Sequence, residues 1–208
     1  MTLLYVTANP KHTKESYGLQ LAEYFMEEYL KQKPDENVER LDLFEVDLPP
    51  LGREALAMWE RNGSNTADTM IPSNPFVEQF LKAERIVIVT PLWNMSFPPQ
   101  VKAYVDHLII PEKTFRFTDK GIEGLMQNKK MIHIQSRGGV YSEGPLQAFE
   151  HGESYLRTIF GLIGLKDYHH LYIEGTSTFP DEVEERLEKA KEQAKSFVRV
   201  FTEPAHFD

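Results

Sequence analysis

A chain of 208 residues, 41% of them hydrophobic, can bury a substantial core and is read as one domain over 1–208. Its 32 acidic residues exceed 23 basic ones, for a formal net charge of -9 without a basic run, which argues against nucleic acid or an anionic membrane as partner. The lack of cysteine excludes disulfides, thiolate zinc sites, iron-sulfur ligation and a cysteine nucleophile, so redox chemistry here requires a bound cofactor.

The opening Met1 to Ala8 has no basic n-region and too short an apolar run for a signal peptide or membrane span, so the expected compartment is the cytoplasm. Leu3 to Thr7 is a short run of strand formers that ends at Asn9-Pro10 and reads as a buried strand. From Ser16 to Gln32, Leu21, Tyr24, Phe25 and Tyr29 recur at helical spacing, and Lys33-Pro34 stops the helix. A second strand is expected over Val38 to Leu43. The stretch from Phe44 to Ser73 is broken by Pro49-Pro50, Asn62-Gly63 and Pro72, with one helix expected around Arg53 to Arg61; connections of this length often form lids or interfaces. Pro75 to Ala83 reads as a helix capped near Ser73 or Asn74, and Arg85 to Thr90, with Ile-Val-Ile-Val at its centre, as the clearest buried strand. Pro98-Pro99 suits a first helical turn before the amphipathic Val101 to Ile109. Lys113 to Thr118 alternates like a hairpin arm, and Lys130 to Gln135 is the fourth core strand. Gly144-Pro145 opens a helix expected to reach Ile163, Tyr168 to Glu174 is the fifth strand, and a charged helix from Asp181 to Phe201 closes the chain, supported by pairs such as Glu185 and Lys189.

Five buried strands alternating with helices imply an α/β fold whose parallel sheet is covered on both faces, with ligands at the carboxyl ends of the strands. That rule selects three loops: Ala8 to Tyr17, Pro91 to Pro98 and Ser136 to Gly144. No G-x-G-x-x-G, Walker or G-x-S-x-G motif is present, and the seven histidines lack metal-ligand spacing, so no metal is expected. In the first loop, Asn9, His12, Thr13 and Ser16 precede a helix N-terminus, which suits either a phosphate monoester or ordinary N-capping by Thr13 or Ser16. In the second, Trp93 and Phe97 either cover something flat or pack on a neighbouring helix, and Asn94 offers a donor and an acceptor to a heterocycle edge. In the third, Gly138 and Gly139 permit close backbone approach to a ligand or simply make a tight turn.

Three long segments occur in order: PLWNMSFPPQVKAYVD from Pro91, KTFRFTDKGIEGL from Lys113 and HIQSRGGVYSEGP from His133. Together they resemble the FMN-dependent NADH:quinone oxidoreductases, also called NADH-azoreductases, and the resemblance extends over essentially the whole chain. It implies a flavodoxin-like three-layer sandwich with strand order 2-1-3-4-5. It also implies a homodimer with active sites at the interface, one non-covalent FMN per subunit, and NADH or NADPH as donor to quinone or azo acceptors in ping-pong order. By position, the resemblance places the phosphate loop on Ser16, Tyr17 and Gly18, the flavin-edge segment on Leu92, Trp93, Asn94 and Met95, and the pyrimidine-side loop on Ser136, Arg137, Gly138 and Gly139.

Departures from the family pattern accompany the match. The family commonly has Ser-x-Ser in the phosphate loop and Met where Leu92 stands, so Gly18 contributes only backbone and Leu92 only packing. Another family serine is matched by Asn9 or Pro10. Phe117, in a hairpin resembling a flap, and Leu162 match acceptor-pocket positions, and Tyr141 is a candidate proton donor or packing lid. Hydride chemistry belongs to the cofactor, so no catalytic side chain is named. Lys102 and Asp106 read as a solvated helix pair, and Leu108 to Ile110 as either core or dimer seam. A non-enzymatic flavodoxin-type electron carrier is the alternative, sharing the fold and FMN but needing an exposed flavin edge.

Overall fold

The computed structural model describes residues 1–54, 56, 57 and 73–204. The helix expected around Arg53 to Arg61 falls for the most part outside the described residues. In chain order the elements are β1 (Thr2–Thr7), α1 (Tyr17–Gln32), β2 (Asn37–Asp42), α2 (Pro75–Lys82), β3 (Arg85–Pro91) and α3 (Pro99–Leu108). There follow β4 (Phe115–Thr118), β5 (Gly121–Gly124), β6 (Lys130–Ser136), α4 (Gly152–Leu162), β7 (Asp167–Ile173) and α5 (Val183–Thr202). Five parallel strands run in the order β2-β1-β3-β6-β7. This is the expected 2-1-3-4-5, since the antiparallel hairpin β4-β5 stands apart from the sheet and shifts only the numbering.

Strand side chains alternate between the two faces, so a fully buried strand feeds two cores. Ile86 and Ile88 of β3 join Leu4, Val6 and Met131 under α2, α3 and α4, where Phe80, Tyr104, Leu108 and Phe160 pack. Val87 and Val89 join Leu3, Tyr5, Ile132 and Ile134 under α1 and α5, where Phe25, Tyr29, Ala194 and Phe201 pack. Leu108 and Ile110 lie in the first core and Ile109 packs on it, so that run is core. The Lys102 ammonium stands 2.6 Å from Asp106 on the outer side of α3, as a solvated pair.

Two buried cations close the end of the sheet opposite the strand C-termini. Arg85 donates from Nε to the carbonyl of Phe201 at 2.8 Å and from Nη2 to that of Thr202 at 3.2 Å, and Lys130 Nζ donates to Val200 at 2.8 Å. They satisfy the carbonyls that α5 leaves open at its C-terminus, where a positive charge also suits the helix dipole.

One expected element differs. Gly144 to Ile163 is not one helix: a 3-10 turn over Gly144–Phe149 is separated from α4 by Glu150 and His151. The Glu150 carboxylate turns back to accept the N–H groups of Gly152 and Glu153, at 3.0 and 2.9 Å, and thereby starts a new helix. His151 N–H donates to the carbonyl of Met95 instead of continuing the earlier turn.

Candidate active site

The carboxyl ends of β1, β3, β6 and β7 open into a crevice of about 320 Å³. At its β1 side, Ser16 caps α1: its Oγ accepts Leu19 N–H at 3.3 Å and a bond from Asn9 Nδ2 at 2.9 Å. The hydroxyl is therefore engaged in capping, and Thr13 sits in a separate short turn. The N–H groups of Tyr17 and Gly18, the first two of the helix, make no hydrogen bond among the described residues. They stand at the positive end of the dipole as donors for an anion. Gly18 answers a close approach, because a Cβ there would lie 2.7 Å from Ser136 Oγ; the first and third loops meet at this point.

The β3 loop is tied to the same place by Leu92 N–H, which donates to Ser136 O at 2.8 Å. Trp93 and Ser96 then bond each other through both backbone groups around a two-residue turn. Asn94 and Met95 carry φ of 49° and 69°, the left-handed sign that such a turn requires at both positions. Asparagine tolerates this region and methionine does not, so the turn holds backbone strain at the mouth of the crevice. Trp93 meets Phe44 edge-on at 6.4 Å yet stays 39% exposed, so it lines the crevice and is not buried on a helix. Phe97 turns away to pack against Tyr155.

The third loop is shaped by a fourth. The carbonyl of Arg137 accepts Thr176 N–H, that of Gly138 accepts Ser177 and Thr178 N–H, and that of Gly139 accepts Gly175 N–H. Across a trans peptide the N–H points opposite to the preceding carbonyl. With these carbonyls turned to the 175–178 segment, the N–H groups of Gly138 and Gly139 face the other way, and neither makes a hydrogen bond among the described residues. A side chain at either glycine would crowd the protein itself: a Cβ on Gly138 would lie 2.9 Å from Ser177 Oγ, and one on Gly139 3.0 Å from the Tyr141 ring.

The side chains of several expected residues point away from the crevice of their own chain or lie outside its lining. The Arg137 guanidinium does not extend into the crevice; it is 4% exposed and lies under the loop, bonded to Gln135 Oε1 at 2.6 Å and over the Tyr172 ring at 4.6 Å. Tyr141 faces a separate hollow beside Glu150 and His170, with its N–H on Glu174. Phe117 is 64% exposed on the hairpin, and Leu162 lies ten residues along α4 from Gly152, about 15 Å at helical rise, so neither lines the crevice of its own chain. Asn94 and Met95, exposed in the turn that follows Trp93, are not among the residues that line the crevice.

The crevice does bring together Ser16, Tyr17, Leu92, Trp93, Ser136, Arg137 and Gly138. Sequence reasoning missed Lys11, Thr176 and Ser177, which also line it. The signal was available: Gly-Thr-Ser-Thr at 175–178 directly follows a parallel strand. Beneath the site, burial and then the charges of Arg137 and Arg157 push His133 down to about 3. Its Nε2 lies 2.9 Å from Thr90 Oγ1 and its ring stacks on His170, so the imidazole is neutral at physiological pH. Among the described residues no cluster of His, Asp and Glu is arranged to hold a metal ion, and no helix is long and apolar enough to cross a membrane.

Unused N–H donors on the first and third loops, flanked by an indole, suit a ligand that carries both a phosphate and a flat, electron-accepting ring. The model of the flavodoxin-like fold family matches residues 1–198. An FMN-dependent NADH:quinone oxidoreductase of Staphylococcus aureus strain MSSA476 is 39% identical over 205 residues, covering 96% of this chain and 99% of its own. The chain belongs to the FMN-dependent NADH:quinone oxidoreductase family. A relative of the same name from strain JH9 is 41% identical over 189 residues, covering 88% of this chain and 91% of its own. Among solved structures, an azoreductase from Bacillus anthracis strain Sterne aligns with a TM-score of 0.88 at 31% identity, over 96% of this chain and 99% of that one. An FMN-dependent NADH-azoreductase from B. anthracis strain Ames Ancestor, in complex with FMN, aligns at 0.85 and 26% identity over 97% and 99%. These relatives are named as oxidoreductases, and nothing among them favours the electron-carrier alternative.

Proposed function

We propose that the chain is a cytoplasmic FMN-dependent oxidoreductase that passes hydride from NADH or NADPH to quinones and aromatic azo compounds, acting as one domain over 1–208. The observation that carries this reading is the paired donor geometry of the crevice. The Tyr17 and Gly18 N–H groups serve the phosphate, and those of Gly138 and Gly139 serve the pyrimidine side of the ring, 120 or more residues away in sequence. Bound FMN supplies the hydride chemistry. The chain supplies the rest: Trp93 and Leu92 exclude water along one edge, Asn94 presents an amide from the turn that follows Trp93, and the glycine N–H groups stabilise negative charge where reduction places it.

The acceptor pocket of this reading is completed by a second copy. Phe117 and Ile122 on the hairpin and Leu162 at the end of α4 are exposed apolar side chains remote from their own crevice. In a homodimer with sites at the interface they would cover the partner's flavin, where an aromatic acceptor needs apolar walls.

The test is spectroscopic and then kinetic. Purified protein is expected to show oxidised-flavin absorbance, or to acquire it on adding FMN, and to oxidise NADH with menadione or an azo dye, giving parallel double-reciprocal lines. Protein that binds no flavin even when FMN is supplied refutes the reading.

A further inference from the structure

Arg137, in the chain next to the two glycines, is a permanent cation with a buried side chain, an arrangement that the binding of FMN does not by itself explain. Its Nε donates to Gln135 Oε1, Nη1 lies 3.5 Å from Glu174 Oε2, and Nη2 lies 3.9 Å from Glu150 Oε1. Both carboxylates are otherwise satisfied: Glu150 by the N–H groups that open α4, and Glu174 by those of Tyr141 and Ser142 and by the Ser142 hydroxyl. Enclosing three charges costs desolvation that an apolar cluster would avoid, so the charges themselves call for a role. Arg137 is among the residues that line the crevice, and the N–H groups of the next two residues are without a hydrogen bond among the described residues. The guanidinium is thus a buried cation one or two residues from those donors in the chain.

We infer that Arg137 is a positioning residue whose buried charge, opposed by Glu174, sets the reduction potential of the cofactor. This rests on the crevice being the FMN site. A cation under the loop favours the reduced, more negative form of the ring, and a carboxylate disfavours it; in a low-dielectric interior neither is screened by water. Removing the two charges singly must therefore move the potential in opposite directions. A clamp that acted only by holding the loop would have no reason to do so.

The experiment measures the midpoint potential of FMN-loaded protein against a reference dye, and FMN affinity by fluorescence quenching, in wild type, Arg137→Met, Glu174→Gln and Thr178→Val. Arg137→Met is expected to weaken retention of the reduced form about tenfold relative to the oxidised form, a fall of about 30 mV for a two-electron couple. Glu174→Gln, whose amide oxygen still accepts the Tyr141 and Ser142 N–H groups, is expected to raise the potential. Thr178→Val removes a hydroxyl bond to the Gly138 carbonyl without changing charge, and should alter affinity but not potential. Shifts of the same sign, potentials that do not move, or a Thr178→Val shift equal to that of Arg137→Met would overturn the inference. If Arg137→Met does not fold, Glu174→Gln decides alone: a rise supports the inference and no rise overturns it. Wild-type protein that takes up no FMN brings down the crevice reading and this inference with it, whereas unmoved potentials in flavin-loaded variants bring down the inference only.

Discussion

The neutral, enclosed His133 makes acid stability a quantitative test of the packing beneath the site. Its pKa falls from an ordinary value of about 6.5 to about 3 because burial penalises the imidazolium and the guanidinium groups of Arg137 and Arg157 oppose it. Between those values the unfolded chain binds a proton that the folded chain refuses, so stability is full above the ordinary histidine value and is lost as pH falls below it. At pH 5.0, about 1.5 pH units below that value and at about 1.4 kcal/mol per unit, the loss from this residue alone is about 2 kcal/mol. His170 is lowered in the same direction, by its own burial first and then by His133, Arg137 and Arg157. His133→Gln retains a partner for Thr90 and has no proton to gain. Urea unfolding of wild type and variant at pH 7.5 and 5.0, at fixed protein and FMN concentrations, should show a pH-dependent loss smaller by about 2 kcal/mol in the variant. Equal losses in the two proteins would mean that His133 is hydrated or charged in the fold, and the description of this layer would be wrong.

Two other substitutions test the loops directly. Gly18→Ala gains up to about 1 kcal/mol of helix propensity while driving a Cβ to 2.7 Å from Ser136 Oγ. The protein should keep close to its wild-type thermal stability but bind FMN roughly tenfold more weakly, about 1.4 kcal/mol; unchanged affinity in fluorescence titration would detach Gly18 from the site. Met95→Gly should stabilise the protein by about 1 kcal/mol, the cost of holding a non-glycine residue in the left-handed region. A urea midpoint at or below that of wild type would show that the Trp93–Ser96 turn carries no such strain.

The central strand was legible because it is a run of β-branched residues enclosed on both faces, which needs no knowledge of partners: Ile86 to Val89 reads as buried and is buried. The caps were legible for the same local reason, with Ser16 and Asn74 each accepting the N–H three residues ahead. The division of Gly144 to Ile163 was not legible. It depends on Glu150 folding back and on His151 reaching Met95, a residue that sequence distance gives no cause to pair with it. The direction of the Arg137 side chain was not legible for a related reason. A motif places a residue in a loop but not its side chain above or below it, and here Gln135, Glu150, Glu174 and Tyr172 form the receptacle from three separate stretches of chain.

The 175–178 segment shows why a list of ligand-facing residues undercounts a site. Its backbone N–H groups are consumed by the carbonyls of Arg137, Gly138 and Gly139, and for that reason the peptide units of the glycine loop have a fixed sense. If those carbonyls were free to turn, the loop would present acceptors as readily as donors, and an electron-rich ring edge would be repelled as often as held. Pairing them with β7's following loop removes that alternative before any ligand arrives. The hydroxyls of Thr176 and Thr178 reinforce the same carbonyls at 3.1 and 3.2 Å. The direction in which the glycine loop presents its N–H groups is therefore set by residues of the loop that follows β7, the edge strand at the far side of the sheet from β2. Orientation that must survive repeated changes in the cofactor's charge is best set by backbone bonds that the cofactor does not share.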